Sequence, residues 1–292
     1  MESYEELKHS MNKSQFMHER REFDSIDNYI SSSKYSDLTY YPICKLNIIS
    51  EQVTYIDKDV DAVIMNNYKL PLHEDIRLIL INNSIPDEFP SNLNVIIFGT
   101  HFNHSLEYVK WTHNINTLLF NDVFNNVLTL PIRIKKLWLG LNYLHHIDVD
   151  NTLLFELKIH TQYIDAIPKS VQILHLGSRF NETLNRNQFP LLHTLILSEC
   201  YNQSFNSNSL PEYLDTLHFN DIYDQYIRYL PQYLRRIKIG SKYTKSVADV
   251  EWPNKLHIIY DKSHSITIDA SNFPPSLQKI YWPSGQVYQN NN

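Results

Sequence analysis

Apolar residues recur along this chain in a regular beat. In IPKSVQILHLGSRFNETL (167–184), counted from Pro168 as zero, apolar residues fall at +3, +6 and +8. Glycine follows at +9, an aromatic at +12 and an apolar residue at +16. Similar frames begin at Pro90, Thr112, Pro131, Asn151, Pro190, Pro211, Pro231, Pro253 and Pro274. Their period is about 20 residues, and self-similarity at such a period is the signature of a solenoid. The Pro190 frame needs a one-residue deletion, because FPLL replaces IPKSV. The +6 column is Ile96, Leu118, Leu137, Leu157, Leu174, Leu195, Leu217, Ile237, Ile259 and Ile280. The +12 column is aromatic over eight successive frames: Phe102, Phe124, Tyr143, Tyr163, Phe180, Tyr201, Tyr223 and Tyr243. The +8 column fails once, at Asp261.

Within a frame, +4 to +8 alternates and predicts a short strand with +6 and +8 facing the core. Proline at zero falls in the turn before it. Gly or Asn at +9 (Gly99, Asn121, Gly140, Gly177, Asn220, Gly240) predicts a second turn made through left-handed backbone. A single coil cannot bury enough apolar surface to offset its ordering entropy, so stacking must supply the rest. Weaker beats in ICKLNI (43–48), VDAVIM (60–65) and IRLILI (76–81) extend the pattern upstream. The expected fold is mainly β, a leucine-rich-repeat-like solenoid over 40–285 with a short helical N-terminal cap. It holds about ten to thirteen coils, each of roughly 16–22 residues.

Residues 1–39 break the beat. They are polar, charged and rich in helix formers, and Ser3 with Glu6 fits a capping box. A helical cap, a partner-docking element and a disordered tail all remain open for them. Residues 286–292 read as a disordered tail, and the sequence does not settle whether Tyr281, Trp282 and Pro283 complete or cap the last coil.

Positions +5 and +7 point away from the core, onto one continuous concave face. The candidate partner-binding residues there are Lys136, Trp138, Lys158, Ile173, His175, Ile196, His218, Arg236, Lys238, Tyr260 and Tyr281. Ile97 and Leu119 are also apolar in this row, and Glu156 is its one acid. An apolar patch beside a basic stretch suits an acidic or amphipathic protein segment. The rival reading is a solvated or self-covered face, since β-branched and aromatic residues suit any strand.

Composition narrows the chemistry. Only 5 glycines are present, with no glycine-rich phosphate loop, and a net charge of −6 argues against nucleic-acid binding. Cys44 and Cys200 form neither a disulfide framework nor a metal cluster. His101, His104, His113, His145 and His146 match no recognised ligand spacing. No cofactor is expected. The N-terminus lacks a signal-peptide core and no apolar run is long enough to span a membrane, so the chain reads as intracellular and cytoplasmic. The sequons at Asn103, Asn181 and Asn202 read as composition.

The Ile-Pro and Phe-Asn pairs make the repeat resemble the FNIP (IP22) family of social amoebae and mimivirus-type giant viruses. IPKSVQILHLGSRFNETL and FPSNLNVIIFGTHFNHSL (89–106) carry the resemblance best. It implies an LRR-like, non-enzymatic interaction module, placed in the host cytoplasm if the chain is viral. Family members often carry an F-box, which implies a substrate-recognition adaptor for ubiquitin ligation. Residues 1–39 lack the Leu-Pro opening of that element. A structural, self-assembling protein of the virion type is the alternative.

Overall fold

The structure is a computed structural model and describes residues 46–49, 56, 58–65, 71–147, 153–160, 167–263, 266 and 273–289. Its strands are β1 (Leu46–Ile49), β2 (Ala62–Met65), β3 (Leu78–Ile81), β4 (Val95–Phe98), β5 (Thr117–Leu119), β6 (Lys136–Trp138) and β7 (Glu156–Ile159). They continue through β8 (Ile173–Leu176), β9 (Thr194–Ile196), β10 (Thr216–His218), β11 (Arg236–Ile239), β12 (Ile258–Asp261), β13 (Lys279–Tyr281) and β14 (Val287–Gln289). All fourteen form one sheet in chain order. From β1 to β13 the pairing is parallel, and one strand follows another at the period of the sequence frames. The fold is a mainly β, LRR-like solenoid.

The register follows the sequence columns. Leu174 pairs with Leu195, Leu195 with Leu217 and Leu217 with Ile237, so the deletion in the Pro190 frame leaves the strands aligned. Two turns shape each coil. The carbonyl of the frame proline accepts the +3 amide, as Pro168 does from Val171 at 3.2 Å and Pro131 from Ile134 at 3.1 Å. The +9 carbonyl accepts the +12 amide, as Gly177 does from Phe180 at 3.2 Å. Proline suits the first turn because its own missing N–H is not needed there.

The core is a stack of layers. The +6 residues are fully buried, and the aromatics follow one another face to face. Phe124 and Tyr143 are stacked at 6.2 Å, Phe180 and Tyr201 at 5.9 Å, and Tyr201 and Tyr223 at 6.3 Å. Tyr163 lies outside the described residues. Asp261, where the +8 column fails, is buried because its carboxylate accepts from the Ser263 amide and hydroxyl and the Ile266 amide. A buried carboxylate is tolerated when so many donors meet it.

The asparagine of the Phe-Asn pair has a separate task. Asn103 Oδ1 accepts the amide of Asn125, Asn181 that of Asn202, and Asn202 that of Asp224, each at 2.9 Å. Asp224 in turn accepts from the Thr244 amide at 2.8 Å. This side-chain ladder satisfies return-path amides that no strand partner reaches. It also occupies the asparagines of all three sequons.

Position +9 departs from expectation. The described residues with positive φ are Tyr229 and Gly285, so neither Gly nor Asn at +9 uses left-handed backbone. Asn121 sends its amide nitrogen to the carbonyls of Gly99 and Phe102 and accepts the amides of Val123 and Phe124. Asn220 repeats this pattern with Ser198, Tyr201 and Ile222. The glycine of the next coil sits against that residue. A Cβ on Gly140 would collide with the Asn121 carbonyl oxygen, and one on Gly240 with that of Asn220. Glycine is required by close approach between coils.

The ends also differ. The N-terminal cap expected over 1–39 falls outside the described residues. Where a disordered tail was expected from residue 286, Val287–Gln289 form β14, antiparallel to β13. The reversal runs through Gly285 at φ +80, with the Trp282 amide donating to Gln286 and the Gly285 amide to Trp282. β14 thereby covers backbone that β13 would otherwise leave as an open edge. The one helical turn among the described residues is a 3-10 turn, Arg186–Gln188, capped by Asn185.

Candidate binding face

The +5 and +7 side chains share the sheet face opposite the core, as the alternation requires. This face is divided into three zones along the ladder. From β2 to β6 it is apolar and closed: Ala62, Ile64, Leu78, Leu80, Val95, Ile97, Leu119 and Trp138 form a second buried cluster. Trp138 was expected to be exposed and is only 3% exposed, and Ile97 and Leu119 are buried with it. Packing within this cluster and against the charged groups beside it removes Trp138 from solvent.

At β6 to β8 the face becomes polar and is organised by Glu156. The Trp138 indole N–H donates to Glu156 Oε1 at 2.7 Å, Lys136 Nζ lies 3.1 Å from the same oxygen and His175 Nε2 3.5 Å from it. Lys136 and Lys158 stand over the Trp138 ring, 4.3 and 5.2 Å from its centroid. Trp138 and His175 approach to 5.6 Å between ring centroids although β7 lies between their strands. Two strand spacings on a flat sheet would hold them about 9–10 Å apart. The two side chains therefore lean toward each other across β7. Burial, then Lys158, Lys136 and His218, push the His175 imidazole down to about 3, so the ring is neutral at physiological pH.

From β9 onward the face opens. Ile196 and His218 are half-buried, as is Ile173 on β8 before them, Arg236 is exposed and Tyr260 is 39% exposed. Tyr260 and Tyr281 stack at 5.0 Å. Lys238 beside them has its pKa lowered, by burial first and by the nearby Lys262 second. Arg236 and Arg235 both reach Asp215, at 3.8 and 3.6 Å. One cleft here is lined by Tyr233, Arg235, Arg236, Lys255, His257, Ile258 and Gln278. A second is lined by Lys238, Tyr260, Lys262, Tyr281, Trp282 and Pro283 among others. Arg235, His257 and Gln278 occupy position +4, which lies beside +5 at the strand entrance. Their shared column was the signal available for them in the sequence.

Eight of the eleven sequence candidates thus fall into two groups, with the half-buried Ile173, Ile196 and His218 in neither. Lys136, Trp138, Lys158 and His175 meet around Glu156, whereas Arg236, Lys238, Tyr260 and Tyr281 border the open clefts. Cys200 is exposed in the turn after β9, its amide donating to Ser198 Oγ at 3.1 Å. Among the described residues no three metal-ligating side chains converge. No helix among them is long and apolar enough to cross a membrane.

Two stretches, 163–200 and 201–245, match the FNIP Repeat family. Among solved structures, the chain is similar to CroV588, a giant-virus protein described as a novel circular LRR protein, with a TM-score of 0.64 and 24% identity. The alignment covers 77% of this chain and 37% of that one, so this chain spans little more than a third of its neighbour's length. No curated protein matches the sequence. The matched stretches hold part of the Phe-Asn ladder and of the proline turns, and the chain carries FNIP repeats there within an LRR-like solenoid fold.

Proposed function

We propose that this chain is a protein-binding scaffold that takes an acidic partner segment on the open half of its strand face. A repeat solenoid offers an extended, rigid surface for this purpose, and the FNIP and LRR likeness supports a scaffold without catalysis. One observation carries the choice of site: the face is closed at β2–β6 and opens at β11–β13, where Arg236, Lys238 and Lys279 stand beside the stacked Tyr260 and Tyr281. Cations beside flat aromatic rings recognise carboxylates and aromatic or apolar side chains together.

The test is partner capture from source cells with the wild-type chain and with Arg236→Glu/Lys238→Glu. The reversal should lower recovery by about tenfold or more, and rising salt should weaken the wild-type complex. Equal recovery by both chains would remove the assignment. The adaptor role in ubiquitin ligation that the resemblance implies rests on residues 1–39, outside the described residues, and has no support among the rest. Self-assembly is favoured by a different feature, a ridge of exposed Ile132, Leu153, Leu191, Tyr213 and Tyr233 on the turns preceding the strands. Sedimentation at micromolar concentration separates the two, because a strict monomer excludes self-assembly by this ridge.

A further inference from the structure

Position +4 opens each strand, and its residues stack from coil to coil. The Arg235 amide donates to the Asp215 carbonyl at 2.8 Å, the His257 amide to Arg235 at 2.9 Å and the Gln278 amide to His257 at 2.8 Å. Their side chains therefore follow one another in steps of about 4.8 Å. The cleft at this strand entrance, about 740 Å³, takes Arg235, Arg236, Lys255 and His257 into its lining, and no described acidic side chain lines it. Asp215 lies at its border, 3.6 Å from Arg235 Nε and 3.8 Å from Arg236 Nη1, and its Oδ2 also accepts the Thr216 hydroxyl at 2.9 Å. One carboxylate thus holds two guanidiniums and neutralises one of them. Both arginines stay exposed. Lys255 is exposed too, and among the described residues its ammonium has no carboxylate partner. The His257 ring is held through Nδ1 against the Lys255 carbonyl. Two arginines and a lysine against one aspartate leave a surplus of two positive charges.

We propose that this cleft seats a phosphorylated side chain of the partner segment, between the coils of β11 and β12. The inference deepens the partner-binding assignment and rests on it. A carboxylate uses the site poorly. Asp215 already stands where a carboxylate can face both arginines, and a second one would cancel only half of the remaining charge. A phosphate monoester carries roughly −1.5 to −2 near pH 7 and offers three acceptor oxygens. That charge matches the surplus. The planar guanidiniums supply paired N–H donors, Lys255 a compact charge and Gln278 an amide donor. Tyr233 also lines the cleft, 45% exposed, with its ring 5.2 Å from that of Tyr213. This pair gives the residues flanking the phosphate an apolar wall. A nucleic-acid backbone fits less well, because the whole chain carries a net charge of −6 and would repel a long polyanion.

The test presents the immobilised full chain with degenerate peptide libraries carrying a fixed phosphoserine, phosphothreonine or phosphotyrosine, and with matching libraries carrying glutamate there. A phosphorylated library should be retained about tenfold or more above its glutamate match. Arg235→Ala/Lys255→Ala, which changes only exposed side chains, should abolish that preference. Arg235→Lys keeps the charge but not the planar fork, and should weaken it. Equal retention of phosphorylated and glutamate libraries, or a preference that survives Arg235→Ala/Lys255→Ala, overturns the proposal. So does an oligouridylate RNA that binds as tightly as the peptides, which would assign the cleft to a nucleic-acid backbone. Displacement of the peptides by equimolar inorganic phosphate would assign it to the free anion and overturn the proposal as well. Partner capture separates this inference from the reading beneath it. If phosphatase treatment of the lysate leaves capture unchanged while Arg236→Glu/Lys238→Glu still loses it, the phosphate inference alone fails. If that variant captures as well as wild type, both fail.

Discussion

At the scale of single residues, the two dipeptides that mark this repeat divide the work of a coil. The proline sets the turn before the strand. The aromatic fills the core while the asparagine after it ties one return path to the next, as in Phe180 and Asn181. Trp138, Glu156 and His175 show what happens where the outward row becomes crowded: the indole, a lysine and the imidazole all converge on one carboxylate oxygen. This environment sets a pH dependence. The folded-state pKa of His175 is depressed to about 3. Below about pH 6.5 the unfolded chain therefore binds a proton that the folded chain refuses. The stability His175 contributes is present above about pH 6.5 and is lost as pH falls toward 3, at up to about 1.4 kcal/mol per pH unit. Urea unfolding between pH 7 and 5, before most carboxylates titrate, should show this slope. His175→Gln should flatten it, and an unchanged slope would place the effect elsewhere.

At the scale of the coil, +9 is an alternating contact in which a larger residue in one coil meets glycine in the next. Asn82 faces Gly99, Asn121 faces Gly140, His160 faces Gly177 and Asn220 faces Gly240. The obstacle differs between pairs. A Cβ on Gly177 would meet the His160 ring, whereas one on Gly140 would meet backbone of the preceding coil. Gly177→Ala and Gly140→Ala should each cost about 1–3 kcal/mol or more by overpacking. Adding His160→Ala should recover much of the Gly177→Ala loss, and Asn121→Ala should recover little at Gly140. Chemical denaturation of the two double-mutant cycles checks this, and equal coupling in both would contradict it. The same position marks the limit of what was legible in the sequence. The columns gave strand spacing, register and core because each rests on burial at a fixed offset. Leu174, Leu195 and Leu217 align without knowledge of their neighbours. The role of Gly177 depends on His160, one coil earlier, whose apposition exists only once coils are stacked. For the same reason Trp138 read as exposed: alternation identifies its face but not what closes that face.

At the scale of the molecule, the stacked aromatic column couples stability to alkaline pH. Tyr143, Tyr201, Tyr223 and Tyr243 are buried within it. The hydroxyls of Tyr201 and Tyr223 have no hydrogen-bond partner, whereas that of Tyr143 reaches the His146 carbonyl at 3.4 Å. Burial pushes the Tyr143 and Tyr243 phenols up to about 12 and raises Tyr201 and Tyr223 further. The sign follows from linkage. Above about pH 10 the unfolded chain releases these protons and the folded chain keeps them, so stability present below pH 10 is lost as pH rises. Each ring contributes a slope of about 1.4 kcal/mol per pH unit, or roughly 5–6 for the four together. A coil-by-coil solenoid transmits such losses along its length, because each coil is held mainly by its neighbours. Phenylalanine already fills the same column at Phe102, Phe124 and Phe180. Tyr201→Phe/Tyr223→Phe should therefore fold, be no less stable at pH 7, and lose about half of the alkaline slope. Urea titrations from pH 8 to 11 measure that slope directly. An undiminished slope in the double variant would mean that alkaline unfolding begins outside the aromatic column, and that the unpaired hydroxyls carry none of it.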